Sequence, residues 1–172
     1  MSFIKIVPKD YLGYDALPNI IKYCLRDDRE YIERYGAGVI DNCSENIING
    51  FNFIKRHYHN TGGKQLHHFI ISIYRYKYIT DKKYWKSKQE IESIACSLIA
   101  KELPFFIENR GFQCCSFIHD DTDYLHIHLI VNSVSWKDGK KLTNIKSFAN
   151  DILKYLISNY AILDWKRGIK CY

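Results

Sequence analysis

His119-Asp120-Asp121-Thr122-Asp123-Tyr124-Leu125-His126-Ile127-His128-Leu129-Ile130-Val131-Asn132, HDDTDYLHIHLIVN, decides how the rest of this chain is read. Successive side chains of a strand point to opposite faces. Leu125, Ile127, Leu129 and Val131 therefore form one apolar face and look like core, while His126, His128, Ile130 and Asn132 share the other. At this spacing His126 and His128 lie roughly 6.5–7 Å apart at Cα, so converging rings reach one ion. His119 closes the preceding apolar run, and the turn containing Asp120, Asp121 and Asp123 folds the chain back, offering His119 as a third ligand. A lone histidine on an apolar face is usually structural and hydrogen-bonded to its neighbours. Two at i and i+2, with a third beside an acidic turn, point instead to a metal site. Three histidines leave coordination positions open, which suits catalysis better than a closed structural site.

Working outward, the same alternation marks Ser2 to Val7, Leu66 to Tyr74 (LHHFIISIY) and Phe112 to Ile118 as strands, and Ala37 to Asn42 is a further candidate. Helical spacing places Leu17, Ile20, Ile21, Cys24 and Leu25 on one stripe behind an Asp15 N-cap. A second helix capped by Ser44 is expected to bury Ile47, Ile48, Phe51, Ile54 and Tyr58. Ser87-Lys88-Gln89-Glu90 fits a capping box for a third helix burying Ile91, Ile94, Ala95, Leu98 and Ile99 and ending before Pro104. A last helix from Ser147 buries Phe148, Ile152, Leu153, Leu156 and Ile157. Strands interleaved with helices over 172 residues predict one domain, 1–172, with helices packed on a single sheet.

The balance of 25 Lys+Arg against 19 Asp+Glu gives a formal charge of +6, which favours an anionic partner such as nucleic acid. The six cysteines form no C-x-x-C pair, and the opening residues have no long apolar h-region, so reduced thiols in a cytoplasmic protein are expected. No apolar run approaches bilayer-spanning length, and no membrane insertion is expected.

The stretch HDDTDYLHIHLIVNSVSWKDGKKL resembles the third motif of the relaxase/mobilisation nucleases of the HUH endonuclease superfamily, and in particular MobP-like relaxase domains. In that family a His-hydrophobe-His strand and an upstream histidine bind one divalent metal ion. HHFIISI is similar to the second motif, in which a histidine precedes a serine by four residues, here His68 and Ser72. NIIKYCL is similar to the first, in which a Lys-Tyr pair on the N-terminal helix carries the nucleophile, here Lys22 and Tyr23. Two departures are visible: Ile73 stands where an aromatic often follows the serine, and Tyr74-Arg75-Tyr76-Lys77-Tyr78 lacks a glutamate common there.

The resemblance implies an α+β fold of two layers, with a central, mostly antiparallel sheet of about five strands. It implies a relaxase that nicks single-stranded DNA at a transfer origin, forms a 5′-phosphotyrosyl intermediate through Tyr23 and rejoins the strand. The metal ligands carried over are His119, His126 and His128, for Mg²⁺, Mn²⁺ or Zn²⁺. Ser72, Asp121 and Asp123 join the catalytic set, with Asp121 or Asp123 taking the phenolic proton or orienting a histidine. Accessory relaxosome proteins and a coupling protein are the implied partners, and a plasmid or integrative element the implied context. At about 100° per residue, Tyr23 points about 120° away from the centre of its helix's apolar stripe, so it is not a core position. Tyr31 and Tyr35 are the competing nucleophiles. Lys22, Lys55, Arg56, Lys64, Arg75, Lys77, Lys140 and Lys141 are candidates for phosphate contacts, with Tyr74, Tyr76 and Trp136 for stacking on bases. A rolling-circle replication initiator or transposase of the same superfamily shares this chemistry. A non-catalytic DNA-binding module with a structural metal is the alternative of a different class.

Overall fold

The computed structural model describes residues 1–26, 33–74, 82–120 and 124–171. Strand β5 (Tyr124–Asn132) lies inside a six-stranded sheet of order β2-β4-β5-β3-β1-β6. On one side it pairs antiparallel with β3 (Leu66–Tyr74), from Leu66 opposite Asn132 to Tyr74 opposite Tyr124. On the other it pairs antiparallel with β4 (Cys114–His119), from Cys114 opposite Val131 to His119 opposite His126. β1 (Phe3–Ile6) and β2 (Arg34–Ala37) extend the sheet antiparallel at its two sides, and the two-residue β6 (Lys170–Cys171) adds parallel to β1. The expected α+β class, a mostly antiparallel sheet of about five strands with helices packed on it, is the one observed, but helices cover both faces, giving three layers where two were expected.

Alternation divides the sheet into two chemically different faces. Ile4, Phe69, Ile71, Ile73, Leu125, Ile127, Leu129 and Val131 form the larger core, against α3 (Lys82–Glu108) and α4 (Ile145–Asn159). Each such side chain taken from water contributes about 1.5–3 kcal/mol. On the opposite face Leu66, Cys115, Phe117 and Ile130 meet Leu17, Ile20, Ile21 and Cys24 of α1 (Ala16–Leu25) and Ile47 and Phe51 of α2 (Ser44–His57). His68, Ser72, His119, His126 and His128 belong to this second face by register.

Three local expectations are corrected. The strand expected over 37–42 is instead Arg34–Ala37: the chain leaves the sheet at Gly38 (φ +70°), and Arg34 donates from Nε to the Asp41 carbonyl at 2.6 Å. Helix α3 begins at Lys82, so Ser87 is not its cap, and Ile91, Ile94 and Leu98 are exposed. Its buried stripe is Ala95, Cys96, Ile99, Ala100, Leu103 and Ile107, with small residues bringing the helix close to the sheet. The helix also continues through Pro104. Proline has no N–H for the carbonyl of Ala100, and Ser116 Oγ on β4 donates to that oxygen at 2.5 Å. In α4, Asn144 is the cap, its side chain accepting from the Ser147 N–H, and Ile157 is 39% exposed.

Candidate active site

The second face carries its polar residues toward the Tyr124 end of β5. His128 and His119 are buried, at 4% and 1% exposure, with ring centroids 4.4 Å apart. His68, from β3, accompanies them: its Nε2 lies 2.9 Å from His128 Nδ1, and its Nδ1 lies 2.9 Å from the Tyr11 hydroxyl. Burial chiefly, helped by charge on His119, Lys5 and Lys9, pulls the His68 pKa down to about 3, so this ring is neutral. Burial likewise pushes the Tyr11 phenol up to about 12.

Helix α1 supplies the remaining part. Its apolar stripe Leu17, Ile20, Ile21 and Cys24 faces the sheet, leaving Tyr23 53% exposed. The Tyr23 ring stands edge-on to His128 with centroids 5.6 Å apart, and 6.0 Å from His119. The last carbonyls of a helix have no intrahelical donor, and His119 Nε2 meets that of Cys24 at 2.7 Å. A carbonyl oxygen only accepts, so Nε2 carries a proton. A cleft of about 430 Å³ opens here, lined among others by Lys5, Lys9, Asn19, Tyr23, His68 and His128.

His126 lies beside this group, opposite His119 on β4 and Ser72 on β3, but its ring stacks on Tyr124 (centroids 6.0 Å apart, planes 10° apart). Ser72 is 2% exposed. Among the described residues, no three His, Cys, Asp or Glu side chains are already arranged around one ion position. The donor set still fits a divalent ion: the imidazoles of His119, His126 and His128 share one face of adjacent strands. Asp121, Asp123, Arg75, Tyr76, Lys77, Tyr78 and Tyr31 lie outside the described residues.

Of the competing tyrosines, Tyr35 packs against the core on the opposite face of the sheet, with its hydroxyl donating to Glu33 Oε1 at 2.5 Å. Lys22 is exposed on α1 beside Tyr23. Lys140 and Lys141 are not at the histidines. They follow the Asn132 end of β5, about 13 Å of strand beyond His128, where Lys140 pairs with Asp138 at 3.2 Å and Lys141 Nζ donates to the Gly62 carbonyl. Trp136 donates from Nε1 to the Glu108 carbonyl at 3.3 Å, and Tyr74 sits edge-on to Tyr124. Reading the sequence missed Lys5, Lys9, Tyr11 and Asn19 as cleft residues. The available signal was Lys5, a charge inside the short apolar strand Phe3-Ile4-Lys5-Ile6, which alternation turns to the histidine face.

The structure is an α+β domain with a tyrosine-bearing helix over a histidine-lined, mostly antiparallel sheet, and sequence comparison gives its class. The model of a relaxase family, "MobA/VirD2-like, nuclease domain", matches residues 23–155, from Tyr23 through Ser72 and all three candidate ligands. The chain belongs to this family of MobA/VirD2-like relaxase nuclease domains. It is also similar to "Protein rlx" of Staphylococcus aureus, 33% identical over 63 residues. That similarity covers 37% of this chain and 19% of the relative's length. No solved structure matches. Among the described residues, no helix is long and apolar enough to cross a membrane.

Proposed function

We propose that this domain nicks and rejoins single-stranded DNA at a transfer origin, with Tyr23 as nucleophile. The observation that carries the proposal is the placement of an exposed tyrosine, the first residue of the family match, against the rings of His119 and His128. Tyr23 Oη forms a bond to phosphorus as the bond from phosphorus to the 3′ oxygen breaks. The products are a 5′-phosphotyrosyl link and a 3′-hydroxyl. A phenol is mostly protonated at neutral pH and needs a base. Asp121 or Asp123 takes that proton and returns it to the departing 3′ oxygen, so atoms and charge balance, and the reverse sequence rejoins the strand. His119, His126 and His128 would hold one divalent ion, which when bound supplies positive charge to the non-bridging phosphate oxygens. Ser72 keeps a hydroxyl on the same face opposite His126. Lys5 and Lys9 in the cleft, with Lys22 on α1, attract the DNA backbone. Lys140 and Lys141 would meet phosphates remote from the nick. Relaxosome proteins and a coupling protein belong to this reading as partners, and a plasmid or integrative element as its context.

The test is incubation with a single-stranded origin oligonucleotide and Mg²⁺, Mn²⁺ or Zn²⁺, followed by electrophoresis in denaturant. A covalent adduct is expected for the wild type and none for Tyr23→Phe. An adduct formed by Tyr23→Phe moves the nucleophile elsewhere, with Tyr31 next in line. DNA binding without an adduct under any metal favours a non-catalytic module.

A further inference from the structure

The bonds around His68 form a chain, Tyr11 Oη to His68 Nδ1 and His68 Nε2 to His128 Nδ1, with both contacts at 2.9 Å. The link between the two rings needs one N–H and one lone pair, so the chain has two proton arrangements. In one, Tyr11 donates to His68 Nδ1, His68 Nε2 donates to His128 Nδ1, and the proton of neutral His128 resides on Nε2. In the other, His68 Nδ1 donates to the Tyr11 oxygen and His68 Nε2 accepts from His128 Nδ1. Only this second arrangement leaves the lone pair of neutral His128 on Nε2, the nitrogen turned away from His68.

We propose that Tyr11 and His68 are positioning residues that fix the tautomer and ring orientation of His128, holding its Nε2 as a ligand for the divalent ion. The proposal rests on the metal-binding reading above. It adds residues outside the His-hydrophobe-His pattern, and Tyr11 lies upstream of the matched region.

Tyr11 is built for a fixed role. It is 6% exposed, and its backbone is in the left-handed region, φ +49°, which a bulky residue rarely adopts. Its carbonyl accepts from the Gln65 N–H at 2.9 Å, which joins this strained residue to the start of β3, three residues before His68. Residue 68 itself is fixed by the register of β3, where it sits opposite Ile130, diagonal to His128 on the same face. A histidine that ligates a metal through one nitrogen generally needs its other N–H held by an acceptor, and here the acceptor is a second histidine.

Nitrogen-15 NMR of the metal-free wild type reads the tautomers directly, and calorimetric Mn²⁺ titration reads the consequence. His128 is expected as the Nδ1–H tautomer, with that proton bonded to His68 Nε2. His68→Leu should weaken Mn²⁺ binding by about 10–100-fold, and His68→Gln, which restores an acceptor, should recover most of it. Tyr11→Phe should shift His128 toward a mixture of tautomers. A wild-type His128 with its proton on Nε2 overturns the proposal even if every variant misfolds. So does an affinity unchanged in a folded His68→Leu, or Mn²⁺ bonded directly to His68 Nε2. By contrast, Mn²⁺ binding that survives His128→Ala at wild-type strength removes the metal-binding reading itself.

Discussion

Acid should weaken this fold through His67, on a route separate from the candidate site. His67 is on the α3 and α4 face of β3, opposite Val131, and is 7% exposed. Burial, then Lys64 and Lys141, lower its pKa from 6.5 to about 4, while a hydrogen bond to the Leu142 backbone opposes the shift. The folded pKa is depressed, so the stability tied to neutral His67 is complete above the unfolded value of 6.5. It drains away as pH falls from 6.5 toward 4, because the unfolded chain takes the proton first. Integrating that difference to about pH 4.5 gives a loss of about 2.5 kcal/mol from this group alone. The perturbation is His67→Gln, which keeps a donor for Leu142 and has no charge to gain. Urea unfolding at about pH 7.5 should place wild type and variant within about 1 kcal/mol of each other. At about pH 4.5 the variant should be the more stable by about 2.5 kcal/mol, equivalent to about 5–10 °C in Tm. His68 and other shared groups cancel in the comparison. If both proteins lose the same stability between the two pH values, His67 is not the group responsible and the reasoning fails.

Lys55 offers the alkaline counterpart. It is 2% exposed, donates to Gln65 Oε1 at 3.0 Å, and is lowered to about 8, first by burial and then by Lys141. Lys55→Met should therefore be stabilising near neutrality, and its advantage in urea unfolding should shrink by about 2 kcal/mol between about pH 7 and pH 9.5. Asn132, fully buried, donates to the Phe51 carbonyl at 3.1 Å and to Gln113 Oε1 at 2.8 Å. Asn132→Leu strands both acceptors and should cost about 2–4 kcal/mol in the same assay. Gly139 has φ +69°, and a Cβ there would lie 2.5 Å from the Tyr58 ring. Gly139→Ala should lower stability by about 2 kcal/mol or more, read as Tm. Lys140→Ala should reduce the salt dependence of DNA binding by about one charge and leave the amount of adduct at saturating DNA unchanged.

The central strands were legible because their two faces differ so sharply. Leu66 to Tyr74 was read at its observed bounds, and the split of 125–131 into core and histidine face holds residue by residue. The α3 stripe was not, because periodicity favours large apolar residues. Sheet proximity instead selected Ala95, Cys96 and Ala100, and left Ile91, Ile94 and Leu98 outside. Pro104 misled for a similar reason: a serine distant in sequence satisfies the carbonyl that proline cannot. At the site, helix geometry put Tyr23 off the apolar stripe, which agrees with its exposure, but not where it would sit. Tyr11 and Lys9 were invisible, since they come from an irregular segment whose course depends on tertiary bonds such as Gln65 N–H to the Tyr11 carbonyl.

The bond from His119 Nε2 to the Cys24 carbonyl spans 95 positions of chain and links the end of α1 to the end of β4. It makes the helix and the histidine cluster mechanically one part, so a disturbance on either side is felt on both. Loosening the seat of α1 at Leu17, 1% exposed and distant in sequence from every candidate ligand, should show as a metal-affinity defect as well as a nicking defect. In a mutational survey of such a domain, helix-packing lesions and ligand lesions would then share one phenotype. Only the position of the substitution, not the assay, would separate them.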